Sequence, residues 1–157
     1  MRRATISTFN KHRIYVVVAA TVQNPIHTTE EGLLRLAPGS KTIVQPLGRQ
    51  VAQVAHVVSK VRVKMSFDNV YTKTKSGKLQ NIDQAWEPIT TIVLQCRDSL
   101  ELGHVYDLLA ESDIKTEIFL DTNPEYGPGE VPTAIATWPV EPEDVVGITD
   151  YLPLLKG

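Results

Sequence analysis

The run RIYVVVAATV, Arg13–Val22, constrains the fold of this chain more than any other stretch. It is rich in β-branched side chains and shows no helical period, so it reads as a strand buried on both faces. Such a strand needs apolar layers above and below it. A second strand follows at ITTIVLQC, Ile89–Cys96. IKTEIFL, Ile114–Leu120, alternates as a third, and TAIATW, Thr133–Trp138, is the fourth. The layers come from helical patterns between them. From Leu47 to about Lys64 the three-and-four spacing of Val51, Val54, Ala55, Val58 and Val61 or Arg62 makes one apolar stripe. SLELGHVYDLLAES, Ser99–Ser112, gathers Leu102, Val105, Leu108 and Leu109 on one side, with Asp98 or Ser99 as cap. EPEDVVGITDYLPLL carries acids in its first turn and reads as a closing helix. Strands alternating with helices predict an α/β fold. Strands three and four are joined without a helix, so the expectation is a four-stranded mixed sheet flanked by helices.

A length of 157 residues suits one domain. Residues 1–12 are polar and basic and read as a frayed N-terminus, and 13–157 as a single α/β domain. Gln23–Pro46 holds three prolines and two glycines and reads as a long loop insertion, within which TTEEGLLRL could form a short helical turn. Ser66–Gln80 is a polar, basic excursion, and NIDQAW reads as a short helix. No internal repeat breaks the chain. The lone Cys96 lies in an apolar run, which excludes an internal disulfide framework and favours an inert buried thiol. No apolar run reaches the roughly 20 residues that span a bilayer, and the basic start leads to no cleavage site. A cytoplasmic protein is expected.

The net charge of −2 conceals a polarity. Residues 1–80 carry 13 Lys and Arg against 3 Asp and Glu, whereas residues 81–157 carry 3 against 15. Either the two halves neutralise each other across the folded surface, or one face is basic and meets a polyanion. Metal chemistry finds little support. His12, His27, His56 and His104 stand at no recognised ligand spacing. APGSKT lacks the first glycine of a phosphate loop, and a serine separates Gly39 from Lys41. Glu143 and Asp144 are explained as helix-start acids.

Two features remain. Arg49, Gln53, His56 and Lys60 recur at intervals of four, three and four, which sets them along one helical face. Asp121 directly follows the third strand and opens a loop dense in turn formers. Ligands of open α/β sheets gather beyond the carboxyl ends of strands. If strands one and three run parallel, Asp121 and Arg49 share one edge of the sheet.

GRQVAQVAH, Gly48–His56, resembles the helix-start motif G-K-x-A-A-Q-x-x-H of the type II peptidyl-tRNA hydrolases. The initial strand IYVVVAA is similar to that family's, and so is the order of elements from Ile89 to Leu155: strand, helix, strand, Asp-containing loop, Pro-Gly turn, Thr-led strand and final helix. The resemblance implies hydrolysis of the aminoacyl or peptidyl ester of tRNA, with no metal or organic cofactor, tRNA as partner, and a possible homodimer. Residue by residue it implies Arg49, Gln53, Asp121 and Thr133 as catalytic groups with His56 in support. With an RNA partner in view, Lys60, Arg62, Lys64, Lys73, Lys75 and Lys78 become candidates for tracking the tRNA backbone. The chain departs from the family pattern at several places, among them a loop before the helix that is much longer than the family's short one. Arg49 stands where the motif has lysine, and the loop pattern D-A-G-x-T becomes DTNPE, which puts Asn123 and Glu125 in place of glycine and threonine. A lysine at position 49 is therefore expected to raise activity. The alternative is a non-catalytic descendant of the fold that binds RNA or protein through the same face.

Overall fold

The computed structural model describes residues 12–28, 34–68, 88–126 and 129–156. NIDQAW, Lys73, Lys75 and Lys78 lie outside them. The main sheet is built from β1 (Arg13–Ala19), β4 (Thr90–Cys96), β5 (Thr116–Asp121) and β6 (Val131–Thr137), in the spatial order β4-β1-β6-β5. β1 pairs parallel with β4 and antiparallel with β6, and β6 pairs antiparallel with β5. The sheet is mixed, as the helix-free connection between the last two strands predicts. β1 and β5 therefore point the same way.

β1 is central and covered twice, as its unbroken apolar character requires. Ile14, Val16 and Val18 face one layer with Val57, Val61 and Met65 of α1 (Leu47–Asp68). Val17 and Ala19 face the other with Leu102, Val105 and Leu109 of α2 (Ser99–Glu111). Asp98 caps α2, its side chain accepting from the Glu101 amide at 2.9 Å.

Three local expectations are corrected. The stretch read as a loop at 23–46 is mostly a hairpin, in which β2 (Thr21–Thr28) and β3 (Leu34–Val44) pair antiparallel as a separate two-stranded sheet. Proline and glycine misdirect the reading here. Pro25 falls where the register shifts, and residues 37–40, the Ala-Pro-Gly-Ser stretch, lie between two paired segments, so each breaker sits where a ladder tolerates it. The C-terminal segment forms only a 3-10 turn at Pro142–Val145, followed by turns and an isolated bridge from Leu154 to Leu94. Its backbone is spent on the free edge of β4, with Leu155 N donating to Val93 O and Gln95 N to Pro153 O. α1 is also rotated from its expected face. Val51 is 52% exposed and Ala55 is exposed, while Gln50 and Gln53 are buried.

Cys96 is 2% exposed, and burial pushes its thiol up to about 12. A disulfide exchange reagent at pH 8 is expected to leave the folded protein unlabelled and to titrate one thiol in denaturant. Rapid labelling of the native protein would show that this layer opens readily.

Candidate active site

α1 leans over β5, the edge strand of the main sheet, and the polar row on the helix meets that strand rank by rank. Arg49 NH1 lies 3.1 Å from Glu125 Oε2. Gln53 Nε2 donates to Asp121 Oδ2 at 2.9 Å. The His56 ring stacks on Phe119, with centroids 4.8 Å apart and planes 19° from parallel. Lys60 Nζ donates to the Ile118 carbonyl at 2.8 Å, and Lys64 Nζ pairs with Glu117 Oε1 at 2.8 Å. Helix numbers rise as strand numbers fall, so the two elements run in opposite senses. From Gln53 to Lys64 the helix advances about 16 Å, and from Asp121 to Glu117 the strand advances about 13 Å, close enough to hold the ranks in step.

Asp121 ends β5, and Arg49 lies in the first turn of α1. Because β1 and β5 point the same way, both stand at one end of the sheet. The amide of Gln53 is oriented by charge, since its oxygen would be repelled by the carboxylate and its nitrogen is drawn to it. That leaves Gln53 Oε1 buried without a hydrogen-bond partner among the described residues, and Thr133 Oγ1 is in the same condition. Thr133 is fully buried at an irregularity in the β5–β6 ladder. Phe119 pairs with Ala134 and Leu120 with Pro132, so Thr133 is an extra residue on β6 with no partner of its own. Bulges of this kind re-aim side chains and cluster beside active sites. No hydrogen bond from the Thr133 hydroxyl reaches Gln53 or Asp121.

A buried amide network holds the mouth of this site, and sequence reasoning missed it. Gln45 Nε2 donates to Ala19 O at 2.7 Å, Gln50 Nε2 to Gln45 O at 2.9 Å, and Gln95 Nε2 to Gln50 Oε1 at 2.8 Å. The ends of β1 and β4 are thereby tied to the start of α1. Tyr126 joins through its hydroxyl, which donates to Gln45 Oε1 at 3.3 Å. Its ring is 1% exposed and packs with Val22 and Val131, and the Asn24 amide donates to its carbonyl. Burial raises the Tyr126 phenol above its ordinary range, so it stays a neutral donor. Glu125 was also missed as a partner. Donation to the Glu125 carboxylate raises the pKa of the Arg49 guanidinium further, and it stays charged.

The row of candidate RNA contacts is mixed. Lys60 and Lys64 reach the β5 edge, and Lys64 remains half-exposed. Arg62 is half-buried, and desolvation lowers its pKa. An apolar cleft of about 350 Å³ opens on the α2 face, between Tyr15, Ile92, Val145 and Leu154, and holds none of the site residues.

A family model, peptidyl-tRNA hydrolase PTH2, matches residues 40–155. The chain belongs to the peptidyl-tRNA hydrolase PTH2 family. No curated protein matches it. The α/β fold with its four-stranded mixed sheet agrees with that family's fold. The match begins inside β3, so most of the hairpin precedes it. No helix among the described residues is long and apolar enough to cross a membrane.

The Gln53–Asp121 bond gives a test of the geometry. Gln53→Glu sets a second carboxylate against Asp121, which raises the pKa of the pair in the folded state. Stability is then lost as pH rises. Denaturant unfolding should show a larger deficit against the unsubstituted protein at pH 8 than at pH 4, and an equal deficit at both would place the two side chains apart in solution.

Proposed function

We propose that this protein hydrolyses the ester joining a peptide to the 3′ end of tRNA, and that Arg49, Gln53, Asp121 and Thr133, with His56 in support, form the site. One observation carries the reading: the hydrogen bond from Gln53 to Asp121. It unites the two motifs that the sequence separates by 68 positions. An ester is an activated acyl group, so the chemical demands are small. A water must be oriented and deprotonated, and the developing oxyanion must be stabilised. Asp121 accepts the proton from water as the water oxygen attacks the ester carbonyl, and Gln53 holds that carboxylate in place. Collapse of the tetrahedral intermediate breaks the bond to the ribose 3′ oxygen, which leaves with the proton that Asp121 took from the water. The unpartnered Gln53 Oε1 and Thr133 Oγ1 suit the binding of water or of a substrate polar group. His56 acts from behind, through its stack on Phe119, to keep the helix against the strand. This reaction calls for no metal or organic cofactor.

Arg49 is assigned to a phosphate of the tRNA 3′ end, because a guanidinium offers several donors to one anion. Arg62, Lys73, Lys75 and Lys78 are proposed to track the rest of the backbone, with Lys60 and Lys64, which bind the strand edge, beside them. Binding through them would weaken steeply with salt. A cytoplasmic setting and a homodimer complete the proposal.

The decisive measurement is turnover of purified peptidyl-tRNA. Asp121→Asn should lower the rate by about 100-fold or more, the scale of a lost general base, while tRNA affinity stays within about threefold. Equal rates for the two proteins would overturn the catalytic assignment, and tRNA binding without any turnover would leave a binding module on this fold.

A further inference from the structure

Two departures from the family pattern meet in space. The motif's lysine is replaced by Arg49 and the loop's threonine by Glu125, and these two side chains form an ion pair at 3.1 Å. We propose that Glu125 is a positioning residue for Arg49, so that positions 49 and 125 work as one coupled pair. The proposal rests on the phosphate-holding role assigned to Arg49 above.

The argument starts from the difference between the two cations. An ammonium is a compact charge whose three donors rotate freely, whereas a guanidinium is a flat fork whose use depends on its orientation. A lysine at position 49 needs only to reach its target. An arginine there needs its plane fixed. The fixing groups are consecutive residues of one turn, Pro124–Tyr126. Glu125 takes NH1, and the guanidinium carbon stands 6.0 Å from the centre of the Tyr126 ring. The turn is itself pinned. Asn123 Oδ1 accepts from the Glu125 amide at 3.0 Å, Tyr126 N donates to Asn123 O at 2.9 Å, and the Tyr126 hydroxyl is anchored on Gln45.

Stability does not account for this pair. Its side chains are 26% and 57% exposed, and an ion pair in that setting contributes little to folding. Its place does account for it. Arg49 stands one helical turn before Gln53, and Glu125 four residues after Asp121, so the pair is the rank next to the Gln53–Asp121 bond. The bond to Glu125 is through one nitrogen, and a guanidinium carries further N–H donors for an incoming anion. Either position changed alone breaks the arrangement. With arginine kept and threonine at position 125, the fork loses its hold. With lysine at position 49 and Glu125 kept, the carboxylate draws a single freely rotating ammonium toward itself, and no planar fork is left to hold further donors out to an incoming anion. The expectation that lysine alone raises activity is thereby reversed.

The test is a cycle of four proteins: the unsubstituted chain, Arg49→Lys, Glu125→Thr and the double variant. Each is assayed for hydrolysis of N-acetyl-phenylalanyl-tRNA, and for binding of deacylated tRNA. Each single substitution should raise KM by about tenfold with kcat within about threefold, the pattern of lost ground-state binding. The double variant should return to within about threefold of the starting protein, a coupling well inside the range found for contacting residues. A structural role alone would not split KM from kcat in this way or be rescued by the second substitution. Losses that multiply in the double variant, or a Glu125→Thr protein as active as the original or more so, would overturn the proposal. If the unsubstituted chain binds tRNA without hydrolysing it, the catalytic reading fails separately. The same cycle read in tRNA Kd then decides the coupling. Absence of both turnover and tRNA binding overturns both.

Discussion

The arrangement turns on how an edge strand is covered. β5 has β6 on one side only, and a bare strand edge leaves backbone groups seeking partners. α1 meets that need while packing its apolar side on the sheet. Val57, Val61 and Met65 enter the core, and the neighbouring helical face overhangs the edge. Lys60 satisfies the carbonyl of Ile118. Lys64 and the indole of Trp138 satisfy Glu117, a carboxylate only 6% exposed. The cost of burying that carboxylate falls only because two donors reach it. Once these ranks are set, the remaining two follow by the repeats of helix and strand. Gln53 arrives at Asp121, and Arg49 arrives at the turn beyond it. The proposed chemistry therefore occupies the last ranks of a contact whose other ranks stabilise the fold.

This explains which parts were legible in the sequence. β1 and β4 announce themselves because a strand with two covered faces is apolar throughout. The helix-free link between β5 and β6 makes the sheet mixed. The shared end of Arg49 and Asp121 is conditional on β1 and β5 running in the same sense, and the antiparallel pairing of β1 with β6 meets that condition. The rotation of α1 is not legible in this way. Counting valines places Val51 and Ala55 inwards, yet Gln50 and Gln53 are the buried positions. The reason is polar. Gln50 links Gln45 to Gln95, and Gln53 is bound to Asp121. A hydrophobic count gives such amides the wrong sign, since it cannot register that their partners lie on other elements. The signal available was the recurrence of two glutamines three apart inside an otherwise apolar stripe.

The hairpin was illegible for a different reason. Proline and glycine are read as loop formers by their average behaviour, whereas a two-stranded ribbon accepts them at irregularities of its ladder. Its role in the site emerges only from three-dimensional contacts. Val22 packs with Tyr126, Gln23 exchanges hydrogen bonds with Ser99 at the start of α2, and Asn24 holds the Tyr126 carbonyl. The hairpin base thus buttresses the turn that presents Glu125. Residues far from Asp121 in sequence fix the backbone four positions after it.

The division of charge along the chain acquires a physical sense from these contacts. The ion pairs Arg49–Glu125 and Lys64–Glu117 join the basic first half to the acidic second half, between α1 and the segment made of β5 and the turn after it. The halves do neutralise each other there, as the less specific reading of the composition holds. The two pairs are nonetheless unequal. Glu117 is buried and has two donors, so Lys64 is tied to a carboxylate that water cannot screen. Glu125 is more than half exposed and in contact with solvent, which weakens its attraction for Arg49. Along one helix, then, the cation nearest the C-terminal end of the strand is the one whose pairing costs least to rearrange. A cation held in orientation but weakly neutralised is suited to receive a second anion, and it stands at the end of the sheet where Asp121 waits.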